Sequence, residues 1–283
     1  MYKAMRMVLF LTFSIFLFSG CGKQKEIPFA ADKKKVTEQE FNRLLQSVNR
    51  DYDGRAQVLA DENGFVVAAK LSTHGVRDIS VLKGISLEAL DLGGLPISDI
   101  SALAGMPLEK LFLEGTDVSD ISALAGMPLK LLNLGNTKVN DISSLAGAGL
   151  AELNLFNCPV SDISPVRGMP LKTLWINGTK VSDILALAGS SLISLTLHNT
   201  AVSDLTPLAS TKLERLHIGE TEVTDLTPIK DLPLTRLVFS PLKIKIGLEY
   251  MRTKPTLKEI GSSFETLLPP QNFWKVYDEV TKK

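Results

Sequence analysis

Cysteine is scarce in this chain: there are 2 among 283 residues. Two thiols cannot build a disulfide framework, so stability has to come from an apolar core. Aromatic residues are only 6% of the chain, with 2 Trp and 4 Tyr. Histidine occurs 3 times, at His74, His198 and His217. An excess of either charge is missing, with 31 basic residues against 31 acidic. A phosphate-binding surface needs a basic face, so no nucleic-acid partner is expected. The motifs of catalysis are missing as well. The chain holds no HExxH, CxxC, GxSxG or phosphate-cradling glycine loop. The reading is a non-enzyme with no cofactor and no metal site.

The N-terminal apolar run is short. Met7 to Phe18 is 12 residues long, against about 20 for a membrane-spanning helix. Lys3 and Arg6 precede it, and small Ser19 and Gly20 follow it before Cys21. That three-part layout reads as a secretory signal peptide over residues 1–20. The ending "FSGC" resembles a bacterial lipobox, with Phe18 where the family prefers Leu. The resemblance implies diacylation of Cys21, which becomes the new N-terminus and holds the protein to a membrane. Residues 21–32 then form the lipidated end and a polar tether. Gly22 resembles outer-membrane sorting signals, which places the protein in the outer membrane or facing the periplasm in a two-membrane cell.

What the chain has in abundance is one unit written many times. "SDISALAGMPL" runs from Ser98 to Leu108 and again, unaltered, from Ser119 to Leu129. Aligning on it gives a period of 21 residues. Position one of each unit is Leu, from Leu87 through Leu108 to Leu234, and position four is Leu from Leu90 to Leu237. Position eleven is β-branched, from Ile97 to Val223, and position thirteen is Asp, from Asp99 to Asp225. One earlier unit begins at Val66, which makes eight full units and a partial ninth from Leu234.

Each unit carries its own local logic. "LxxLxL" alternates, so a short strand is expected at positions four to six. The Asp of position thirteen is expected to cap a short helical turn, accepting backbone N–H groups. One unit has about six inward apolar side chains and nothing to cover them. At roughly 1.5–3 kcal/mol per buried side chain, stacking is the only route to a core.

The pattern "LxxLxLxxTxVxDIxxL" is identified as a leucine-rich repeat of the short bacterial type, one residue shorter than the internalin repeat. The resemblance implies an α/β solenoid: a horseshoe with a parallel sheet on its concave side and short helical or 3-10 turns on the convex side. The repeats cover residues 66–239. Position nine departs from the family's Asn and holds Leu95, Thr116, Thr137, Cys158, Thr179, Thr200 and Thr221. A Thr hydroxyl there can bond backbone at the coil corner, and Cys158 is a small apolar stand-in. A cap is expected over residues 33–65, with a helix whose capping box is Thr37 and Glu40 and a hairpin turning at Asn63-Gly64. A second cap with a terminal helix is expected over 240–283. These flanking stretches also resemble the repeat regions of some bacterial membrane serine/threonine kinases, although the chain has no kinase domain.

The positions that drift between units are where specificity can be written. Positions two, three, five and seven point away from the core, onto the concave face. Phe156, Trp175, His198 and His217 fall in four consecutive coils, with Phe112 nearby and Asn133, Asn154 and Asn177 bordering them. Exposed aromatics flanked by amides supply rigid apolar area and adaptable hydrogen bonding. The expectation is a protein-binding face, with a glycan receptor or a structural spacer as alternatives. The competing reading is that the aromatics cover the sheet or pack on the terminal helix. A second candidate surface is acidic: Glu88, Asp91, Glu109 and Glu114 around Lys110.

Overall fold

A computed structural model describes residues 34–71 and 75–282. The leader, Cys21, the tether, Ser72 and His74 lie outside the described residues. Helix α1 spans Glu38–Val48. Thr37 Oγ1 accepts from the Glu40 amide at 3.3 Å, which is one half of the expected box. The Glu40 carboxylate pairs with Lys34 at 3.4 Å. Phe41 and Leu45 are buried beneath the helix.

One sheet of 11 strands follows, and its spatial order is its sequence order. Strands β1 (Gln57–Ala60) and β2 (Val66–Lys70) form an antiparallel hairpin. Asp61 closes its turn by accepting from the amides of Asn63 and Phe65. Eight parallel strands follow: β3 Ala89–Asp91, β4 Lys110–Phe112, β5 Leu131–Asn133, β6 Glu152–Asn154, β7 Thr173–Trp175, β8 Ser194–Thr196, β9 Arg215–Ile218 and β10 Arg236–Phe239. The chain then makes α2 (Leu248–Arg252), β11 (Glu259–Gly261) and α3 (Pro270–Thr281).

The register explains the period. Leu90 pairs with Leu111, Leu111 with Leu132, and so on through Leu237 to Ile260. One period therefore advances one strand, and each Leu lies against its counterpart in the next coil. These side chains are at most 1% exposed. Most of the strands start one residue earlier than the alternation suggests, at positions three to five.

The convex return of each coil is a 3-10 turn such as Ser101–Leu103 or Ser122–Leu124. The Asp column works one residue ahead of the expected cap. Asp99 Oδ1 accepts from the Ser101 amide at 2.8 Å, and Asp120 does the same with Ser122. The residue flanking each turn is instead Ile100 or Ile121, which has no side-chain cap. Each Asp thus makes an Asx turn into the 3-10 segment. Those amides, helped by the Ser hydroxyls, hold the carboxyls of Asp99, Asp120 and Asp141 below the usual range.

Position nine closes the other corner. Thr116, Thr137, Thr179, Thr200 and Thr221 are buried, and each hydroxyl donates to the carbonyl three residues back, at 2.6–2.8 Å. Cys158 keeps the column polar in its own way, donating from Sγ to the Leu134 carbonyl at 3.0 Å. Burial pushes its thiol pKa up. Position eight, just before, is left-handed in successive coils: Gly115 has φ 71°, Asn136 57°, Asn157 55°, Gly178 71°, Asn199 54° and Glu220 53°. Gly and Asn enter that region cheaply and Glu does not.

The last coil is closed by aromatic packing. Phe273 lies 5.9 Å from Phe239 and meets Trp274 edge-on at 4.9 Å. Arg252 sits 4.7 Å over the Trp274 ring and holds Asp278 through two nitrogens at 2.9 and 2.7 Å. Helix α3 therefore packs on the end of the stack, where it ties itself to α2.

Candidate binding face

The sheet brings the drifting residues together as the period requires. Across adjacent strands Phe112 pairs with Asn133, Asn133 with Asn154, Asn154 with Trp175, Trp175 with Thr196, and Thr196 with His217. Phe156, Asn177 and His198 stand two residues further along their coils. Neighbouring strands lie about 4.8 Å apart, so the face is a closely spaced array.

The side chains of this array have different fates. Phe112, Phe156, Trp175, Asn177 and His198 are half-buried and reach the surface. Asn133 and Asn154 do not: they are only 4% and 7% exposed. Asn133 Oδ1 accepts from the Gly135 amide at 3.0 Å, and its Nδ2 donates to Glu114 at 3.2 Å. Asn154 Oδ1 accepts from the Phe156 amide at 2.9 Å. Asp91 bonds Gly93 in the same way at 2.9 Å. These residues are Asx turns that lead each strand into its corner, and their polar atoms are spent on the wall. A Cβ at Gly135 would sit 3.2 Å from Asn133 Oδ1, so a larger residue there requires the amide to shift by a few tenths of an ångström, and the same turn at Asn154 accommodates Phe156. The patterns Asp-x-Gly and Asn-x-Gly at positions five to seven were the available signal for Asp91 and Asn133, and Asn154, followed by Phe156, carried no such signal.

His217 also leaves the surface, for a different reason. It is 7% exposed. Its ring stacks on His198 at 4.9 Å with planes 13° apart. Phe264, in the short turn Phe264–Thr266 after β11, meets its other side edge-on at 4.8 Å. Burial, and then the neighbouring His198, lower the His217 pKa from 6.5 to about 4, against a small opposing pull from Glu265. Its Nδ1 has no hydrogen-bond partner among the described residues, which suits a neutral ring. His198 Nδ1 lies 3.2 Å from the Gly219 carbonyl, which can only accept, so the proton sits on that nitrogen. The cover comes from the Phe264 turn. Among the aromatics of the terminal helix, Phe273 packs against Phe239 instead.

The acidic candidates are largely tied down. Glu109 pairs with Lys130 at 2.6 Å, Asp91 lies 3.9 Å from Lys70, and Glu114 accepts from Asn133. Among the described residues no group of three or more His, Cys, Asp or Glu is placed to hold a metal ion. No helix among them is long and apolar enough to cross a membrane.

No family model and no curated protein matches the chain. Solved structures do. The chain is similar to an internalin, InlF, of Listeria monocytogenes, at 27% identity over 78% of this chain and 67% of that one, with a TM-score of 0.65. It is similar in fold to internalin C2 of the same organism, at 24% identity over 69% of this chain and 96% of that one, with a TM-score of 0.60. Stacked coils, a parallel concave sheet and 3-10 convex turns give the chain a leucine-rich-repeat solenoid fold similar to that of these bacterial internalins.

Proposed function

We propose that the chain is a non-catalytic protein-binding module of the bacterial cell envelope. It is presented from lipid on Cys21 and engages a partner protein through the middle of its concave face. Phe112, Phe156, Trp175, Asn177 and His198 are the contact residues. The observation that carries this reading is the contrast on the face itself. The polar side chains Asn133 and Asn154 are folded into the wall, while bulky Phe112 and Trp175 stand partly clear of it. Apolar area held on a hydrogen-bonded sheet loses little entropy when a partner docks.

The test is crosslinking in cells from a photoreactive residue at Asn177, with Trp175→Ala and Phe112→Ala as controls. A defined protein adduct that disappears in both variants supports the reading. Undiminished capture of the same protein would overturn the assignment of this patch. An adduct with glycan alone would favour the receptor alternative. For the anchor, Cys21→Ser is expected to abolish incorporation of labelled palmitate and to release the protein from the membrane fraction. A variant that stays membrane-bound and labelled would refute lipidation at that residue.

A further inference from the structure

The two ends of the sheet are finished differently. At the far end, the outer edge of β11 is occupied. Ile260 and Leu268 exchange amide and carbonyl bonds at 2.9 Å in each direction. At the near end the sheet stops at β1, and among the described residues no strand pairs with its outer edge. A terminal strand with unpaired amides and carbonyls is a template for another strand unless it is guarded. Gln57–Ala60 is guarded only by its length of 4 residues and by the irregularity between Leu59 and Ala60, and it contains neither Lys nor Pro. Instead Leu59 stands 55% exposed, with Gln57 and Ala60 exposed beside it.

We infer that the open edge of β1 pairs antiparallel with β1 of a second copy, so that two chains share one continuous sheet. Residues opposed across antiparallel strands point to the same face, so the twofold axis stands perpendicular to the sheet. Centred on Leu59, the pairing sets the two most exposed side chains of the strand against each other. It also brings Arg55, whose side chain is 83% exposed and lies 3.9 Å from Asp53 of its own chain, to the Asp61–Asn63 turn of the other copy, which carries Asp61 and Glu62. Asp61 is held by Lys35 and by its own turn amides, so Arg55 against the exposed Glu62 is the charge pair that the twofold axis repeats. The strand is short, and its register against β2 shifts between Leu59 and Ala60. A weak, concentration-dependent dimer is therefore expected. Lys34, where the described chain begins, pairs with Ile85 at this same end of the stack. This inference does not depend on the reading of the concave face.

The experiment is sedimentation of the full chain in mild detergent, at protein concentrations up to about 1 mM, the weak end of specific association. The wild type is expected to shift from one chain mass to two as concentration rises. Leu59→Lys and Leu59→Glu are each expected to stay monomeric, because like charges face each other across the axis. Their equimolar mixture is expected to recover the dimer, which a folding defect would not allow. A wild type that is monomeric throughout would overturn the proposal, whether the edge is left open or is taken by the chain's own leading residues. So would variants that dimerise as well alone as mixed.

Discussion

Trp175 and Val238 occupy the same position of the repeat, three strands apart, yet Trp175 is half-buried and Val238 is 0% exposed. His217, between them in the column, is 7% exposed. The strands are equivalent and the register is unbroken. The difference comes from the segment after β11, which folds back so that Phe264 covers His217. A repeat position therefore sets the direction of a side chain, and a distant segment decides whether that direction is solvent. The available face ends at His198, in the coil before the cover begins.

The sharpest way to break this equivalence is a charge. Val238→Asp puts a carboxylate beneath the cap and is expected to cost more than ~4 kcal/mol. Phe112→Asp, at the same repeat position in the open region, is expected to cost about 1 kcal/mol or less. Denaturant midpoints of the two variants make the comparison, and equal losses would contradict it.

The next largest effect contrasts neighbours in one strand. Leu174 faces the core at 0% exposure, and Trp175 faces outward. Leu174→Ala is expected to lose ~2–5 kcal/mol through the cavity it leaves. Trp175→Ala is expected to lose about 1 kcal/mol in stability, although it removes the larger side chain. Chemical denaturation of each variant checks the order.

His217 makes the covered end sensitive to pH. Its pKa falls from 6.5 to about 4 on folding, so between those values the unfolded chain binds the extra proton. Stability from this residue is fully present above about pH 6.5 and is lost as pH falls toward about 4. The amount is on the order of 3 kcal/mol. Phe264→Ala removes the cover, so the imidazole titration followed by NMR is expected to move up toward 6.5 and the pH slope of stability to flatten. An unchanged titration in that variant would show that Phe264 is not what holds the ring neutral.

The smallest expected effect lies at the coil corner, which both regions share. Thr179→Val leaves the Ile176 carbonyl without its 2.6 Å bond and is expected to cost about 1 kcal/mol. The same change at Thr221 is expected to cost a similar amount, because the corner does not distinguish the open face from the covered end. Melting or denaturant curves that separate the two variants strongly would mean that the cap reaches further into the wall.

The period, the Leu ladder and the Thr column were legible from the residues because each is a local rule repeated. A side chain at position four faces inward in every coil for the same steric reason, and repetition raises that signal above chance. The Asp column was legible as a turn starter, and its Asx geometry shifted the bond by one residue. Asn133 and Asn154 were read as exposed amides. The competing local bond to the amide two residues ahead won, because a short polar side chain at a strand end satisfies its own backbone at little entropic cost. Phe264 gave no signal at all as a cover for His217.

The amino-acid sequence by itself determined the coil: its length, which side chains face the core, and where the corners close. Those properties depend on neighbours within one period, and 3.3 Å-per-residue strands leave them little choice. Only the tertiary structure decided how much of the concave face remains open, which histidine is held neutral, and that the outer edge of β11 is occupied while, among the described residues, no strand pairs with that of β1. Those outcomes depend on contacts between segments far apart in the chain, and no periodic pattern encodes them.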